Sequence, residues 1–512
     1  MSTNEIKTLL VDVLPAVDFN SEFLFAELDS LGVATILYVL SKKYGVALDA
    51  HDVTPKNFKN VEAITKLVRS KMTLESKIKQ FATTKPDKIA VISGEKRLTY
   101  SQLWEAIVNK AEALKSEGLK PHHAHVFRTN QSSDFIITYC AVHYLKAVAV
   151  PIEHSATEDT YKSIRDDLDS YVFPDDVADT LYTTGSTGKA KGVMLSHTSL
   201  TSCSENFIVD FKFNDRLCFI VSGPLNHIAS LFKINPTLCS GATVCILDGL
   251  KDMNAFFNAF DLPYEEFATF LVPASIRIIM SYAYDKLCSL SSKIAFIETG
   301  ASPITKEDME QLSKALPHSR LYNGYGATEF GCATAYDFND GKYIEGCIGR
   351  PLKNAKIEIG PDGTLVVSGL GIMSGYVKDE ENTKKVLIDG KIHMSDLGYV
   401  DEDGLFHITG RIGEVINVGG FKVNPNEVES VASSFPSVKD CICVAATHPV
   451  IGPALKLIVV SEKDVPFDKH ALAVYIKSKL EAYKVPTMFE TADSIRYTYN
   501  GKKDRKSYKD EG

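Results

Sequence analysis

The chain has 512 residues, of which 45% are hydrophobic and 24% charged, an ordinary composition for a soluble globular protein of several domains. Its formal net charge of −9 provides no basic field for bulk nucleic-acid binding. The ten cysteines include no pair with the spacing of a zinc site, so we expect reduced thiols. The sequence has neither signal-peptide features at its start nor a membrane-spanning apolar run, which predicts a cytoplasmic protein.

Residues 1–72 are predicted to form a small helical bundle. Asp29 or Ser30 can cap a helix whose apolar residues recur at helical spacing, and Gly45 is placed to end it. A second helix-start signal lies near residues 52–58, and the apolar residues of 61–68 then share one face. A bundle of this length is near the lower limit for independent folding.

From residue 74 onward the chain alternates short β-branched runs with amphipathic helices. The runs "KIAVISG", "AVAVPI" and "ATVCIL" predict strands, and "SQLWEAIVNKAEALKSEG" predicts a helix. This pattern predicts a large α/β core over residues 74–410. Residues 411–512 contain strands and a helix of their own, which predicts a small C-terminal α+β domain. The predicted fold is therefore multidomain, with helical bundle, α/β core and small α+β domain in that order.

The most specific chemical signal is "LYTTGSTGKAKGVMLSH", residues 181–197. Its Gly, Ser and Thr residues let backbone amides approach phosphate oxygens, and its lysines add positive charge. It differs from a P-loop because Lys189 is followed by Ala190 and only two residues separate Gly185 from Gly188. A flexible loop without function is the alternative, but the paired lysines and the preceding strand-like run favour phosphate binding.

Further segments follow this loop in a fixed order: "NGYGATE", "GLGIMSGY", "HMSDLGYVDEDG", "ITGRIGEVINVGGFKVNPNEVE" and "YNGKKDRK". Together the six segments resemble the signature motifs of the adenylate-forming superfamily. That superfamily includes acyl-CoA synthetases, aryl-acid ligases and nonribosomal peptide adenylation domains. The resemblance covers the chain from about residue 74 to its end.

The resemblance implies that a carboxylate attacks the α-phosphate of ATP, giving an acyl-adenylate and pyrophosphate, with Mg²⁺ as a second cofactor. It implies that Tyr325 stacks on adenine, that Thr328 binds the α-phosphate, and that Glu329 holds magnesium. The implied nucleotide-binding positions are Thr183, Thr184, Gly185, Ser186, Thr187, Gly188, Lys191, Gly300, Ala301, Asn323, Tyr325, Gly326, Asp396 and Arg411. Among these, Asp396 matches the acceptor of the ribose hydroxyls and Arg411 its partner.

Three more positions take their implied roles from the resemblance. Lys502 matches the catalytic lysine brought to the substrate carboxylate during adenylation, although "GKKDRKSYKD" also has the composition of a solvated basic tail. His227 matches a position near the acyl pocket and is counted as catalytic; a core histidine with satisfied hydrogen bonds is the alternative. Gly413 stands where the family has an aspartate or lysine hinge between the two half-reactions.

The first 72 residues resemble an acyl carrier protein. In that family the serine after aspartate, here Ser30, carries 4'-phosphopantetheine, which a phosphopantetheinyl transferase attaches. A phosphodiester at a helix N-terminus is electrostatically favourable. The alternative is that Ser30 only caps its helix. The resemblance implies that the acyl group passes to this arm, within one chain or between two copies.

The acid is predicted to be a fatty or aryl acid, because "GPLNHIASLF" lacks the aspartate that amino-acid-activating domains place there. Downstream partners would be enzymes of fatty acid, polyketide or nonribosomal peptide synthesis. Two alternatives stay open: a CoA ligase with a vestigial carrier domain, and a non-catalytic carrier or docking module.

Overall fold

The computed structural model describes residues 3–184, 190–250, 252–412, 416–418, 421–448, 452–462, 465–498 and 503–508. The chain forms two compact units. The first contains residues 1–270, 327–331 and 369–384, and the second contains residues 271–326, 332–368 and 385–512. The domain limits predicted at residues 72, 74, 410 and 411 stay predictions. Among the described residues, no helix has both the length and the apolar character to cross a membrane.

The helices and strands up to residue 270 belong to the first unit. The helices are α1 (Thr3–Val13), α2 (Leu24–Glu27), α3 (Ser30–Tyr44), α4 (Val61–Lys71), α5 (Leu74–Thr84), α6 (Tyr100–Ser116), α7 (Ser133–Tyr144), α8 (Glu158–Leu168), α9 (His197–Asp210), α10 (Ile228–Cys239) and α11 (Met253–Asn258). The strands are β1 (Ile89–Ser93), β2 (Lys96–Thr99), β3 (Ala124–Arg128), β4 (Val148–Ile152), β5 (Val177–Thr184), β6 (Ala190–Ser196), β7 (Leu217–Val221), β8 (Thr243–Ile246) and β9 (Glu266–Phe270).

The elements after residue 270 complete both units. The helices are α12 (Pro273–Ser289), α13 (Lys306–Ala315), α14 (Glu380–Val386), α15 (Pro425–Ser433) and α16 (Lys469–Lys479). The strands are β10 (Ile294–Thr299), β11 (Arg320–Ala327), β12 (Gly331–Asp337), β13 (Cys347–Pro351), β14 (Ala355–Ile359), β15 (Thr364–Gly369), β16 (Gly375–Tyr376), β17 (Leu387–Ile388), β18 (Lys391–Val400), β19 (Phe406–Arg411), β20 (Ile416–Val418), β21 (Phe421–Val423), β22 (Val438–His448), β23 (Gly452–Ser461) and β24 (Met488–Thr491).

Helices α1 to α4 enclose an apolar cluster of their own, which includes Ile6, Ile36 and Phe58. Asp29 is the N-cap of α3: its Oδ1 accepts a hydrogen bond from the Gly32 amide at 2.7 Å. The helix ends as predicted at Gly45, whose φ of +67° is the left-handed conformation that glycine adopts without strain.

Helix α4 begins later than its predicted start signal near residues 52–58. Its N-cap is Asn60, whose side chain accepts from the Ala63 amide at 2.9 Å. Residues 50–52 instead form one 3-10 turn, closed by a capping box between Asp49 and Asp52. The helix therefore begins at its capping residue, Asn60, and not at the earlier start signal in the sequence.

Two sheets form the framework of the first unit. One has the order β9-β7-β8-β1-β2, with parallel pairing from β9 to β1 and an antiparallel β2. The other has the order β16-β6-β5-β4-β3, in which β3, β4 and β5 are parallel. Every residue of β4, β7 and β8 is buried, which explains their continuous apolar sequences. The strands predicted from "KIAVISG", "AVAVPI" and "ATVCIL" are confirmed.

The second unit contains the sheet path β14-β15-β18-β19-β13-β12-β11-β10, in which β10 and β11 are parallel. Its C-terminal part has the sheet β22-β23-β24, and the buried side chains of Val428, Leu457 and Leu472 join this sheet to α15 and α16 in one apolar cluster. The predicted α/β core with a small C-terminal domain is thereby confirmed.

A buried group of charges ties three elements of the first unit together. Nδ1 of His143 in α7 lies 2.9 Å from Oε1 of Glu75 in α5, and Nε2 lies 2.7 Å from Oδ1 of Asp179 in β5. The three side chains are 0–6% exposed. Burial disfavours the charged ring, but the carboxylates of Asp179 and Glu75 outweigh it and raise the pKa of His143 to about 10. Each ring nitrogen of this imidazolium donates to one carboxylate.

Replacing His143 by glutamine would leave Glu75 and Asp179 buried without their cation. We expect the free energy of unfolding at pH 7 to fall by about 3–5 kcal/mol, the usual effect of removing one partner of a buried pair. Urea unfolding of wild type and His143→Gln measures the difference. The folded-state pKa of His143, about 10, lies above the unfolded value of about 6.5. Its stabilisation is therefore complete below pH 6.5 and is lost as the pH rises through 10.

The difference between wild type and His143→Gln should accordingly shrink from pH 6.5 to pH 10. His197→Gln is the matched control. The His197 ring lies 5.2 Å from that of His143, between centroids, but burial and the His143 charge lower the pKa of His197. This control should show no decrease in that pH window. A His143→Gln difference that stays constant across the window would contradict the buried imidazolium.

Candidate active site

The two strands that flank the predicted phosphate loop form an antiparallel hairpin. Strand β5 ends at Thr184, β6 begins at Ala190, and Thr183 pairs with Lys191 across the hairpin. These two predicted site residues therefore lie together at the base of the loop. The predicted loop residues Gly185, Ser186, Thr187 and Gly188 lie outside the described residues, and only the backbone of Thr184 is described.

Beside this hairpin, Tyr376 contacts both Lys191 and Glu329. The Lys191 Nζ lies 5.0 Å from the centroid of the Tyr376 ring. The Tyr376 hydroxyl donates to Oε1 of Glu329 at 2.9 Å. Strand β16 places Tyr376 opposite Val193 of β6, which explains why the phenol reaches the lysine. Burial, and then the Glu329 charge, raise the pKa of Tyr376 well above its ordinary value, so the phenol stays a donor.

The Glu329 carboxylate has the chemistry of a magnesium ligand. Carboxylate oxygen suits this hard cation, which commonly uses one or two protein carboxylates together with water and phosphate oxygens. The Tyr376 hydroxyl fixes the orientation of the carboxylate, as supporting groups around metal ligands commonly do. The Met373 amide donates to the backbone oxygen of Glu329 at 2.7 Å and holds the turn that contains Thr328. The residues present fit the predicted magnesium.

In the second unit, three predicted nucleotide-binding residues come together. The Tyr325 hydroxyl, at the end of β11, donates to Oδ2 of Asp396 in β18 at 2.9 Å. Asp396 pairs in register with Arg411 of β19, and the Arg411 Nε lies 3.6 Å from Oδ1 of Asp396. The Asp396 side chain is 15% exposed and that of Arg411 42% exposed. A mostly buried carboxylate that is held by one hydrogen bond and faces a guanidinium can still accept hydrogen bonds from a diol such as ribose.

The predicted positions Gly300 and Ala301 follow the end of β10, and Gly326 lies in the last residues of the parallel strand β11, at the edge where ligands bind open α/β sheets. Ala301 has a φ of +65°, an unusual conformation for alanine that is often found at functional sites. The predicted nucleotide-binding role of Asn323 stays a prediction. Its Nδ2 donates to the backbone oxygen of Cys347 at 2.8 Å, which gives this side chain a structural partner.

His227 is the N-cap of α10, and its Nδ1 accepts a hydrogen bond from the Ala229 amide at 3.4 Å. This contact favours the alternative of a ring used in the fold, and its predicted catalytic role stays a prediction. Lys502 and Gly413 lie outside the described residues.

Sequence reasoning missed Tyr376, although it is the last residue of "GLGIMSGY". The contacts of Tyr376 depend on the pairing of β16 with β6, which joins segments about 180 residues apart. No local sequence pattern predicts such a pairing. A tyrosine at the end of a glycine-rich motif was the only signal available.

Comparison with known proteins shows that most of the chain after residue 77 matches one family. The profile of the AMP-binding enzyme family matches residues 78–173 and 166–377, and that of the AMP-binding enzyme C-terminal domain matches residues 427–502. A feruloyl-CoA synthase of an Amycolatopsis species is 28% identical over 479 residues, covering 82% of this chain and 95% of that protein. A ligase for 3-[(3aS,4S,7aS)-7a-methyl-1,5-dioxo-octahydro-1H-inden-4-yl]propanoyl:CoA from Rhodococcus jostii is 25% identical, covering 84% and 97%.

The fold is also shared with solved structures. ATP-bound MatB from Rhodopseudomonas palustris has a TM-score of 0.77 at 21% identity, covering 86% of this chain and 99% of that one. The predicted enzyme class, an AMP-forming acid–thiol ligase, is confirmed by these relatives. Residues 1–77 lie outside the matched family segments, so their likeness to a carrier protein stays a prediction. With well over half of its residues matched by these two profiles, the chain belongs to the AMP-binding enzyme family.

Proposed function

We propose that this enzyme activates a carboxylic acid with ATP as an acyl-adenylate and transfers the acyl group to a phosphopantetheine thiol. The thiol acceptor is the arm on Ser30 of its own bundle or of a second copy. The observation that carries the adenylation step is the convergence of Tyr325, Asp396 and Arg411 in the second unit. Lys191, Tyr376 and Glu329 in the first unit support it.

In the first half-reaction, a substrate carboxylate oxygen bonds to the α-phosphorus, and the bond from that phosphorus to the β-phosphate oxygen breaks, releasing pyrophosphate. The Asp396 carboxylate accepts hydrogen bonds from the ribose hydroxyls and so fixes the nucleotide. The α-phosphate then lies in line with the attacking carboxylate of the acid. Lys191 provides positive charge toward the departing phosphates. Magnesium held at Glu329 would neutralise phosphate charge. Lys502 would pair with the incoming carboxylate and the α-phosphate.

In the second half-reaction, a thiolate sulfur bonds to the acyl carbon, the bond from that carbon to the adenylate oxygen breaks, and AMP leaves. The acceptor proposal rests on Ser30. It is the first residue of α3 and is exposed, and Asp29, not Ser30, supplies the cap of that helix. The cap at Asp29 and the exposed Ser30 hydroxyl at the helix N-terminus support the carrier proposal over the alternative in which Ser30 only caps the helix.

Free CoA is the second candidate acceptor. The feruloyl-CoA synthase and the Rhodococcus jostii ligase are both named for making a CoA thioester, and this observation specifically favours free CoA. The acid we propose is an aryl or fatty acid. The segment "GPLNHIASLF", which leads into α10 and includes its first residues, lacks the aspartate expected for an amino-acid substrate. An aryl acid is what feruloyl-CoA synthase is named for.

Asp396→Asn should lower the rate of ATP–pyrophosphate exchange. The change keeps the shape of the side chain at position 396. It removes the negative charge that accepts a hydrogen bond from the Tyr325 hydroxyl and, in the proposed function, from the ribose. Losing a hydrogen bond to a charged group costs about 1.5–3 kcal/mol, which corresponds to a decrease of roughly 10- to 100-fold in kcat/KM for ATP. The control is Asp403→Asn, whose exposed carboxylate lies 3.4 Å from Lys342 and away from Tyr325. Equal effects of both variants would contradict the ribose assignment.

Tyr376→Phe should raise the Mg²⁺ concentration needed for half-maximal exchange by about 10-fold or more, because supporting contacts to a metal ligand contribute about that much to metal affinity. Titration of Mg²⁺ at saturating ATP measures the shift. Tyr336→Phe is the matched control, since its hydroxyl bonds to the carboxylate of Asp340 at 3.1 Å and burial likewise raises its pKa. An unchanged Mg²⁺ requirement in Tyr376→Phe would argue against Glu329 as the ligand.

Ser30→Ala should abolish attachment of the arm. Intact-protein mass spectrometry after incubation with CoA and a broad phosphopantetheinyl transferase should show one added arm in wild type and in Ser21→Ala, a serine of the same bundle. Adding ATP, Mg²⁺ and a panel of aryl and fatty acids should then add one acyl group to the arm.

The same mixtures distinguish the two acceptors. Acyl-CoA that forms equally well with wild type and Ser30→Ala, while no acyl group appears on the protein, would replace the carrier proposal by the CoA ligase. Absence of an arm on wild type would overturn the carrier proposal.

A further inference from the structure

Three side chains with the chemistry of metal ligands meet in the first unit, apart from the residues assigned to nucleotide and magnesium. Glu75 in α5, His143 in α7 and His197, the first residue of α9, each offer one ligand atom, and these atoms lie within 4.8 Å of one another. Within the described part of the chain, no other three histidine, cysteine or acidic side chains come together in this way. Two imidazoles and one carboxylate are a ligand set that zinc uses in proteins.

The two ring nitrogens of His143 have different partners. Nδ1 lies 2.9 Å from Oε1 of Glu75, whereas Nε2 lies 2.7 Å from Oδ1 of Asp179. The Tyr139 hydroxyl donates to the other oxygen of Asp179 at 2.8 Å and so fixes that carboxylate. A carboxylate that accepts from one ring nitrogen commonly orients a histidine so that its other nitrogen binds a metal. In the metal-free protein a proton on Nδ1 takes that place, which gives the imidazolium described above.

His197 is well placed to be the second imidazole ligand. Its ring centroid lies 5.2 Å from that of His143, with an angle of 75° between the two ring planes. Its backbone amide donates to the oxygen of Asp176 at 3.0 Å, which holds the start of α9 in place. The ligand atoms of a tetrahedral zinc ion are about 3.4 Å apart, so separations near 4.8 Å have to shorten on binding. The side chain of His197 can make this movement because the residue is only half-buried.

A small cavity lies beside the two histidines. Its volume is about 10 Å³, and it is also lined by Ser204, Asn235 and Cys239. A volume of this size accommodates about one water molecule. Asn235 is 3% exposed, and its Oδ1 has no hydrogen-bond partner among the residues that the structure describes. A buried acceptor without a partner is costly, so this oxygen points to a missing donor in the cavity.

We propose that Glu75, His143 and His197 bind one Zn²⁺ ion. A water in the cavity completes the tetrahedron and donates to Oδ1 of Asn235, and Asp179 is the positioning residue behind His143. Binding releases the Nδ1 proton to solvent. Two positive charges then face the two carboxylates, where the imidazolium supplied one. The ion joins α5, α7 and α9, a structural role that goes beyond the proposed function and does not rest on it.

Metal content of the full chain tests the site. Wild type and His197→Gln are expressed with added zinc, incubated with ZnCl2 in the absence of nucleotide, desalted and analysed by inductively coupled plasma mass spectrometry. Wild type should retain one more zinc per chain than His197→Gln, a variant that leaves His143 and its two carboxylates in place. The control is His407→Gln, which removes a buried ring whose Nε2 lies 2.7 Å from Oδ2 of Asp401. It should retain as much zinc as wild type.

Stability supplies a second readout, because a ligand that binds only the folded state stabilises it. Zinc should raise the Tm of chelator-treated wild type and of His407→Gln, but not that of His197→Gln. Thermal unfolding also shows whether each variant folds. If His197→Gln does not fold, Asp179→Asn provides the alternative. It keeps an acceptor for His143 but loses the supporting charge, so the affinity for zinc should fall about 10- to 100-fold.

Co²⁺ added to chelator-treated wild type reports the geometry without any variant. Tetrahedral coordination gives strong visible absorption, whereas the octahedral aqua ion absorbs weakly. Zinc should abolish the strong absorption by displacing the cobalt. Equal zinc in wild type and His197→Gln, no zinc in wild type, or only the spectrum of the aqua ion would each overturn the proposal. None of these measurements uses ATP or an acid, so their failure leaves the proposed adenylation unaffected.

Discussion

A single buried imidazolium joins three elements of the first unit, α5, α7 and β5. His143 bonds to Glu75 in α5, which begins shortly after the last helix of the bundle, and to Asp179 in β5, the strand that leads to the loop. A buried cation between two anions has few alternative partners, so it specifies how these elements pack. Strand β5 and the helix after the bundle therefore share one fixed point.

The junction between the bundle and the rest of the first unit is short and well bonded. Only Met72 and Thr73 separate α4 from α5, and the Met72 backbone oxygen accepts a hydrogen bond from the Thr201 hydroxyl of α9 at 2.6 Å. Lys77 of α5 donates to the backbone oxygen of Tyr44 at the end of α3 at 2.7 Å. A bundle attached in this way differs from one on a flexible linker, which samples a wide volume. If Ser30 carries an arm, the arm and not the linker must provide the reach within one chain.

The sequence predicted those features that depend on neighbouring residues. The cap at Asp29, the stop at Gly45 and the buried strands all follow from local chemistry. What it did not predict depends on contacts between distant segments. His143 is only an interruption in an apolar run until the fold brings it to Glu75 and Asp179. The motifs located Tyr325, Asp396 and Arg411 one by one, but only the pairing of β18 with β19 shows that they meet.

Tyrosine hydroxyls recur as hydrogen-bond partners of carboxylates. Tyr376 donates to Glu329, Tyr325 to Asp396 and Tyr497 to Asp440. A phenol orients a carboxylate without cancelling its charge, whereas a lysine or arginine in the same place would compete with the ligand for it. In the proposed function, Glu329 is thus fixed in direction and keeps its charge for magnesium, whereas Asp396 shares its charge with the Arg411 guanidinium, whose Nε lies 3.6 Å from its other oxygen.

Asp440 and Asp396 share one arrangement. Oδ2 of Asp440 accepts from the Tyr497 hydroxyl and its Oδ1 lies 3.3 Å from the Lys503 Nζ, just as Oδ1 of Asp396 lies 3.6 Å from the Arg411 Nε. Burial and the neighbouring Asp440 raise the pKa of Tyr497, so its hydroxyl stays a donor at neutral pH. A phenol at one oxygen and a cation at the other therefore fix the direction of each carboxylate from both ends.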